Sequence, residues 1–119
     1  MKTLVFGGSI KPERYSNKAI KSLQEKGIPT VSYGLKPGVV AGVSMDTTLV
    51  GYDDIHTITL YMNPKRQKEF YDYFLSLCPK RIIFNPGTEN QELASLARAN
   101  GIAVQEACTL VLLSMDQYE

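Results

Sequence analysis

The run Thr3-Leu4-Val5-Phe6 passes directly into Gly7-Gly8. It is too short for a helix, and without polar alternation it suits a strand buried on both faces, as in a parallel sheet. The glycines let the chain leave the strand in a tight loop. Both faces of such a strand need covering, and longer amphipathic stretches follow it. Ala19, Ile20 and Leu23 share a helical face behind Ser16, and Gly27 closes the segment, predicting a helix over residues 17–26 with Ser16 as its N-cap. Residues 29–33 read as a second strand, broken by Gly34-Leu35-Lys36-Pro37-Gly38. Residues 39–54 carry scattered glycines and allow one short strand near 42–45. Residues 56–62 have the β-branched content of a strand, and Asn63-Pro64 marks a helix start with Asn as the cap. Phe70, Tyr71, Phe74, Leu75 and Cys78 line one face of that helix, which places Cys78 in the core, and Pro79 ends it. A buried strand over 81–85, a small-residue helix stopped by Gly101, a strand over 102–104 and a helix over 110–115 complete the chain.

This order predicts an α/β fold, a Rossmann-like doubly wound three-layer sandwich with a mainly parallel five-stranded sheet. No repeat or low-complexity linker interrupts it, so residues 1–119 are expected to form one domain, long enough to bury its own core. Thirteen Lys and Arg against twelve Asp and Glu leave a net charge of +1. That balance offers no basic face and argues against nucleic acid as a partner. No apolar run approaches the roughly 20 residues that span a bilayer, and the start reaches glycine too soon for a signal-peptide core. A cytoplasmic protein without membrane contact is expected. Cys78 and Cys108 lie far apart and His56 is the only histidine, so no His/Cys zinc site is expected.

In doubly wound sheets ligands bind beyond the carboxyl ends of the strands. The loop after the first strand is the most informative. Gly7-Gly8-Ser9 lets backbone approach a phosphate, and Ser9, Arg14, Ser16 and Lys18 add donors near a helix N-terminus. Neither the dinucleotide fingerprint nor a Walker motif is present. The loop after the second strand reads Tyr33-Gly34-Leu35-Lys36-Pro37 and lacks the acid that holds the ribose of NAD. Lys36 there suits a phosphorylated ribose, which leaves NADP and coenzyme A.

Five loops in order resemble the small stand-alone coenzyme A-binding domains, similar to the N-terminal domain of the succinyl-CoA synthetase α subunit. They are residues 5–9 with 12–19, residues 33–37, Tyr61-Met62-Asn63-Pro64, Asn85-Pro86-Gly87-Thr88-Glu89-Asn90 and Glu106-Ala107-Cys108-Thr109-Leu110. The resemblance implies a pyrophosphate at Gly8, Ser9, Ser16 and Lys18, with Gly7 and Asn17 also among the binding residues and Arg14 as a further phosphate partner. It implies the adenosine end near Gly34, Leu35 and Lys36, and Met62, Asn63 and Pro64 along the middle of the groove. Asn85, Gly87 and Cys108 would complete the site, and coenzyme A or an acyl-CoA would be the ligand. The chain departs from the family where the second-strand loop often reads Asn-Pro-Lys, and over residues 39–52.

No nucleophile is paired with a base. His56 opens a strand at the end opposite the ligand loops, and Glu89 and Glu92 suit helix N-terminal acids. A binding module without turnover is expected. The alternatives are an NADP-dependent oxidoreductase and a protein-interaction module with a vestigial groove. Cys108 precedes a helix on the ligand side, where it suits either a mixed disulfide with the coenzyme A thiol or a buried packing role. Tyr71, Tyr73 and Tyr118 read as exposed aromatics, which suit either a homodimer or partner surface or ordinary isolated surface positions.

Overall fold

The computed structural model describes residues 1–119, with seven strands along the chain: β1 (Lys2–Gly8), β2 (Thr30–Gly34), β3 (Val39–Val40), β4 (Val43–Asp46), β5 (Ile55–Leu60), β6 (Arg81–Phe84) and β7 (Ala103–Glu106). In the sheet they lie in the order β3-β4-β2-β1-β5-β6-β7, and every pairing is parallel except β3 with β4. The helices are α1 (Tyr15–Glu25), α2 (Pro64–Gln67), α3 (Tyr71–Ser76), α4 (Gln91–Ala99) and α5 (Thr109–Ser114), with a 3-10 turn, Lys68–Phe70, between α2 and α3. None is long and apolar enough to cross a membrane.

Side chains alternate across a strand, so β1 feeds two cores. Leu4 and Phe6 join Phe74, Leu93 and Ala97 on the α3/α4 side, whereas Val5 joins Ile20, Leu23, Leu112 and Leu113 on the α1/α5 side. That is the doubly wound, three-layer Rossmann-like arrangement. Phe6 stacks on Tyr33 at 4.6 Å and meets the edges of Phe70 and Phe74 at 5.0 and 4.7 Å, in the offset and T-shaped geometries that aromatic quadrupoles favour. The other core contains buried hydroxyls in pairs, Thr59 with Thr109 at 2.8 Å and Thr3 with Tyr118 at 2.6 Å, so these four keep partners, whereas the Tyr61 hydroxyl beside them is buried without one.

Several expectations need correction. The sheet has seven strands rather than five, because residues 39–54, which only allowed one short strand, contribute both strands of a β3–β4 hairpin. Its turn places Ala41 and Gly42 both at positive φ, 49° and 83°, a conformation that usually announces itself as Asn-Gly. The helix expected after Asn63 divides into α2, the 3-10 turn and α3, and ends at Ser76. Cys78 therefore leaves the helix at φ 48° and is exposed, not core. Ser16 does not cap α1. The cap position is Arg14, without a side-chain cap bond, and Ser16 is buried within the helix. Tyr118 is only 2% exposed, fixed by Thr3 and lying 4.6 Å from the Arg81 guanidinium, while Tyr71 and Tyr73 are half-buried.

His56 does stand at the start of β5, away from the carboxyl ends of the strands. Burial first, and then the positive charges of Arg81, the N-terminus and Lys80, lower its pKa below the ordinary 6.5. The folded protein thus resists protonation that the unfolded chain accepts, so His56 supports stability at neutral pH that is lost as the pH falls through 6.5 toward the lower folded value. Between pH 7 and 5 the thermal midpoint of the wild type should fall more steeply than that of His56→Gln. Parallel curves for the two proteins would refute this.

Candidate functional site

From β1 the chain turns through α1 to β2 on one side, and after β4 it returns across the sheet to β5 on the other. The carboxyl ends of β1 and β5 therefore part company with their connections, which opens a crevice between them. A cleft of about 550 Å³ occupies that place, lined by residues 7–11, 14–16, 33–36, 61–63, 66 and 86–88.

Its floor is backbone. Gly7 has φ +97°, and a Cβ there would lie 3.1 Å from the Tyr61 carbonyl carbon and oxygen. A Cβ on Gly34 would run into the Gly8 carbonyl oxygen, so the exits of β1 and β2 approach peptide against peptide. Above this floor the Ser9 hydroxyl accepts from the Lys11 N–H at 3.2 Å, and Asn17 Nδ2 donates to the Ser9 carbonyl at 2.9 Å. The loop is thereby tied to the first turn of α1, whose N–H groups have neither a side-chain cap nor an acidic neighbour in that turn.

Charge is concentrated here although the chain is nearly neutral. Lys11, Arg14, Lys36 and Arg66 line the cleft, and no Asp or Glu does. None of the four is in a salt bridge; the structure's one ion pair, Lys26 with Asp116, lies elsewhere. Free cations beside a helix N-terminus make a receptor for anions. The Tyr61 hydroxyl is buried and does not open into the cleft; burial, against the opposing hydroxyls of Thr109 and Thr59, holds the phenol well above its ordinary pKa, and it stays neutral.

Of the residues singled out from the sequence, Gly7, Gly8, Ser9, Arg14, Ser16, Gly34, Leu35, Lys36, Met62, Asn63 and Gly87 meet around this cleft. Five others do not line it. Asn17 is buried beneath the first loop, and Lys18, exposed one turn along, lies with its ammonium 5.3 Å from the Tyr15 ring centroid. Pro64 is the first residue of α2, behind Asn63, whose side chain caps the Arg66 N–H at 3.0 Å. Asn85 is 2% exposed and acts as a clamp. Its Nδ2 donates to Thr59 Oγ1 and the Leu60 carbonyl at 2.7 and 2.9 Å, and its Oδ1 accepts from the Thr109 N–H at 2.9 Å. Cys108 occupies the cap position of α5 and is half-buried.

Tyr15, Tyr33, Tyr61, Pro86 and Thr88, in loops that carry the resemblance but given no ligand role there, also line the wall, and sequence reasoning missed Ile10, Lys11 and Arg66 on it and Gln67 behind it. Gln67 is fully buried. Its Nε2 donates to the carbonyls of Met62 and Thr88, each at 2.8 Å, and its Oε1 accepts from Asn90 Nδ2 at 2.9 Å. One side chain thus joins the β5 and β6 exit loops. Its four-residue helix offers no periodic pattern from which that inward position could be read.

A family described as CoA binding domain matches residues 1–114. No curated protein matches the chain. Among solved structures, one described as an uncharacterized protein is 41% identical, with 98% of this chain and 96% of that one covered at a TM-score of 0.94. A hypothetical protein from Pyrococcus horikoshii OT3 is 24% identical, with 95% and 81% covered at a TM-score of 0.85. A dinucleotide-forming acetyl-coenzyme A synthetase 1 from Ca. Korarchaeum cryptofilum, in complex with phosphate and ADP, is 15% identical. It shares the fold over 89% of this chain and 25% of its own length, at a TM-score of 0.71.

Proposed function

This chain belongs to the CoA-binding domain family, and from that premise we propose that it holds coenzyme A or an acyl-CoA in the cleft between the ends of β1 and β5 without turning it over. The observation that carries this reading is the acid-free set of unpaired cations beside the open N-terminus of α1. Coenzyme A has one strongly anionic end, a pyrophosphate and a 3′-phosphate, and one uncharged pantetheine arm. Lys11, Arg14 and Lys36 all stand on the β1/β2 bank, so the phosphates belong there, with Lys36 toward the 3′-phosphate. The arm then runs toward the loops that follow β5 and β6.

The absence of turnover is part of the proposal. Hydroxyls line the cleft, but neither a histidine nor a carboxylate stands among them as a base, and His56 is at the other end of its strand. The unpaired thiols of Cys78 and Cys108 agree with a reducing, cytoplasmic setting.

Thermal denaturation tests the ligand. Coenzyme A at about 100 times its dissociation constant should add about 2.7 kcal/mol and raise the midpoint by several degrees, with NADP, NAD and ATP giving no comparable shift. A response to NADP instead would make this a nicotinamide site, and silence across the panel would point to a protein partner. Lys36→Ala should weaken coenzyme A about tenfold and dephospho-coenzyme A hardly at all, as befits loss of a charge-assisted hydrogen bond. Equal losses with both ligands would remove Lys36 from the 3′-phosphate.

A further inference from the structure

We propose that the cleft prefers acyl-CoA thioesters whose acyl group ends in a carboxylate, and that Arg66 reads that carboxylate. The inference rests on the coenzyme A reading above and concerns the part of the cleft which that reading leaves without a role.

The four cations are unevenly placed. Lys11 and Arg14 belong to the loop and cap that follow β1, and Lys36 to the loop after β2, whereas Arg66 alone stands on the opposite bank, in α2 after β5. From β2 to β5 the sheet order crosses β1, two strand spacings or about 10 Å. With the phosphates gathered over β1 and β2, the ligand reaches the Arg66 bank with its pantetheine arm and acyl group. An uncharged arm gives a guanidinium nothing to pair with, but an acyl carboxylate does, in the fork geometry that arginine favours.

The surroundings suit that role. Arg66 is exposed and outside the structure's one salt bridge, and its backbone N–H is already taken by Asn63 Oδ1. The acid of the facing loop, Glu89, is turned onto the Gly87 N–H at 2.9 Å and does not line the cleft. Gly87 itself lines the cleft with open space where a side chain would be, which leaves room for an acyl group. Gln67 fixes the Met62 and Thr88 carbonyls, so Arg66 projects from an anchored turn.

Calorimetric titration of the whole chain with coenzyme A, butyryl-CoA and succinyl-CoA tests this, since the two thioesters share a four-carbon acyl chain and differ in the terminal carboxylate. The wild type should bind succinyl-CoA about tenfold more tightly than butyryl-CoA, the scale of one charge-assisted pair. Arg66→Gln should bring that ratio to about one. Equal affinities in the wild type would overturn the proposal, as would an Arg66→Gln protein weakened by the same factor toward all three ligands, which would assign Arg66 to the phosphates. If none of the three binds the wild type, the coenzyme A reading itself fails and this inference fails with it. A wild type that binds coenzyme A without discriminating between the thioesters leaves that reading intact.

Discussion

Gln67→Leu should lower stability by about 3 kcal/mol and the thermal midpoint by roughly 10 °C, while removing most of the ligand response. Leucine fills nearly the same space, so the loss is not a cavity effect. It leaves the Met62 and Thr88 carbonyls without the buried partner that each has now, and removes one of the two acceptors of the half-buried Asn90 amide. Asn90 also caps the Leu93 N–H of α4 and donates to the Tyr71 hydroxyl, so the disturbance spreads to a second helix. The loops of residues 62–63 and 86–88 would lose their common anchor, and the cleft wall with it. Chemical denaturation and coenzyme A titration of the variant check both parts. A Gln67→Leu protein that unfolds with the wild type would mean that the two loops hold their places by other means.

The second large effect is expected from a single methyl group. Gly34→Ala should cost about 3 kcal/mol, at the upper end of overpacking, because the added carbon meets the Gly8 carbonyl oxygen and Met45. A flexible side chain could swing aside, but a carbonyl inside the β1–β2 ladder cannot move without parting the strands. The Gly7-Gly8-Ser9 loop and Lys36 would then separate, and the coenzyme A response should fall further than stability alone predicts. Gly51→Ala is the matched control, since open space surrounds that position and no unusual φ is required, and it should lie within about 0.5 kcal/mol of the wild type. Similar unfolding midpoints for the two alanine variants would contradict the close approach.

The parts of this fold that could be read from the sequence are those with local signals. The apolar runs of β1, β5 and β6 and the Asn63-Pro64 helix start stand where patterning and capping put them. The β3–β4 hairpin stayed hidden because Ala41 takes a left-handed conformation that alanine does not advertise. Asn85 and Cys108 show a different difficulty. Position at a strand exit or beside a helix suggested ligand contact, but Asn85 lies two residues beyond Ile83 and shares its face of the strand, toward α5. The alternation rule would have turned it inward. Arg66 and Gln67 were illegible for the opposite reason. They belong to a four-residue helix, too short for a periodic pattern, and their orientation is settled by loops far away in the chain. Tyr118 follows the last helix, where no period indicates burial.

The central position of β1 has a consequence for synthesis. This strand leaves the ribosome before the other six, yet one of its two neighbours, β5, ends at Leu60, about fifty residues later. At 5–20 residues per second, that wait lasts roughly 3–10 s, with one apolar edge of the nascent sheet unpaired. Any surveillance of the growing chain, by chaperone or by protease, would meet it in that interval, when only half of the cleft exists.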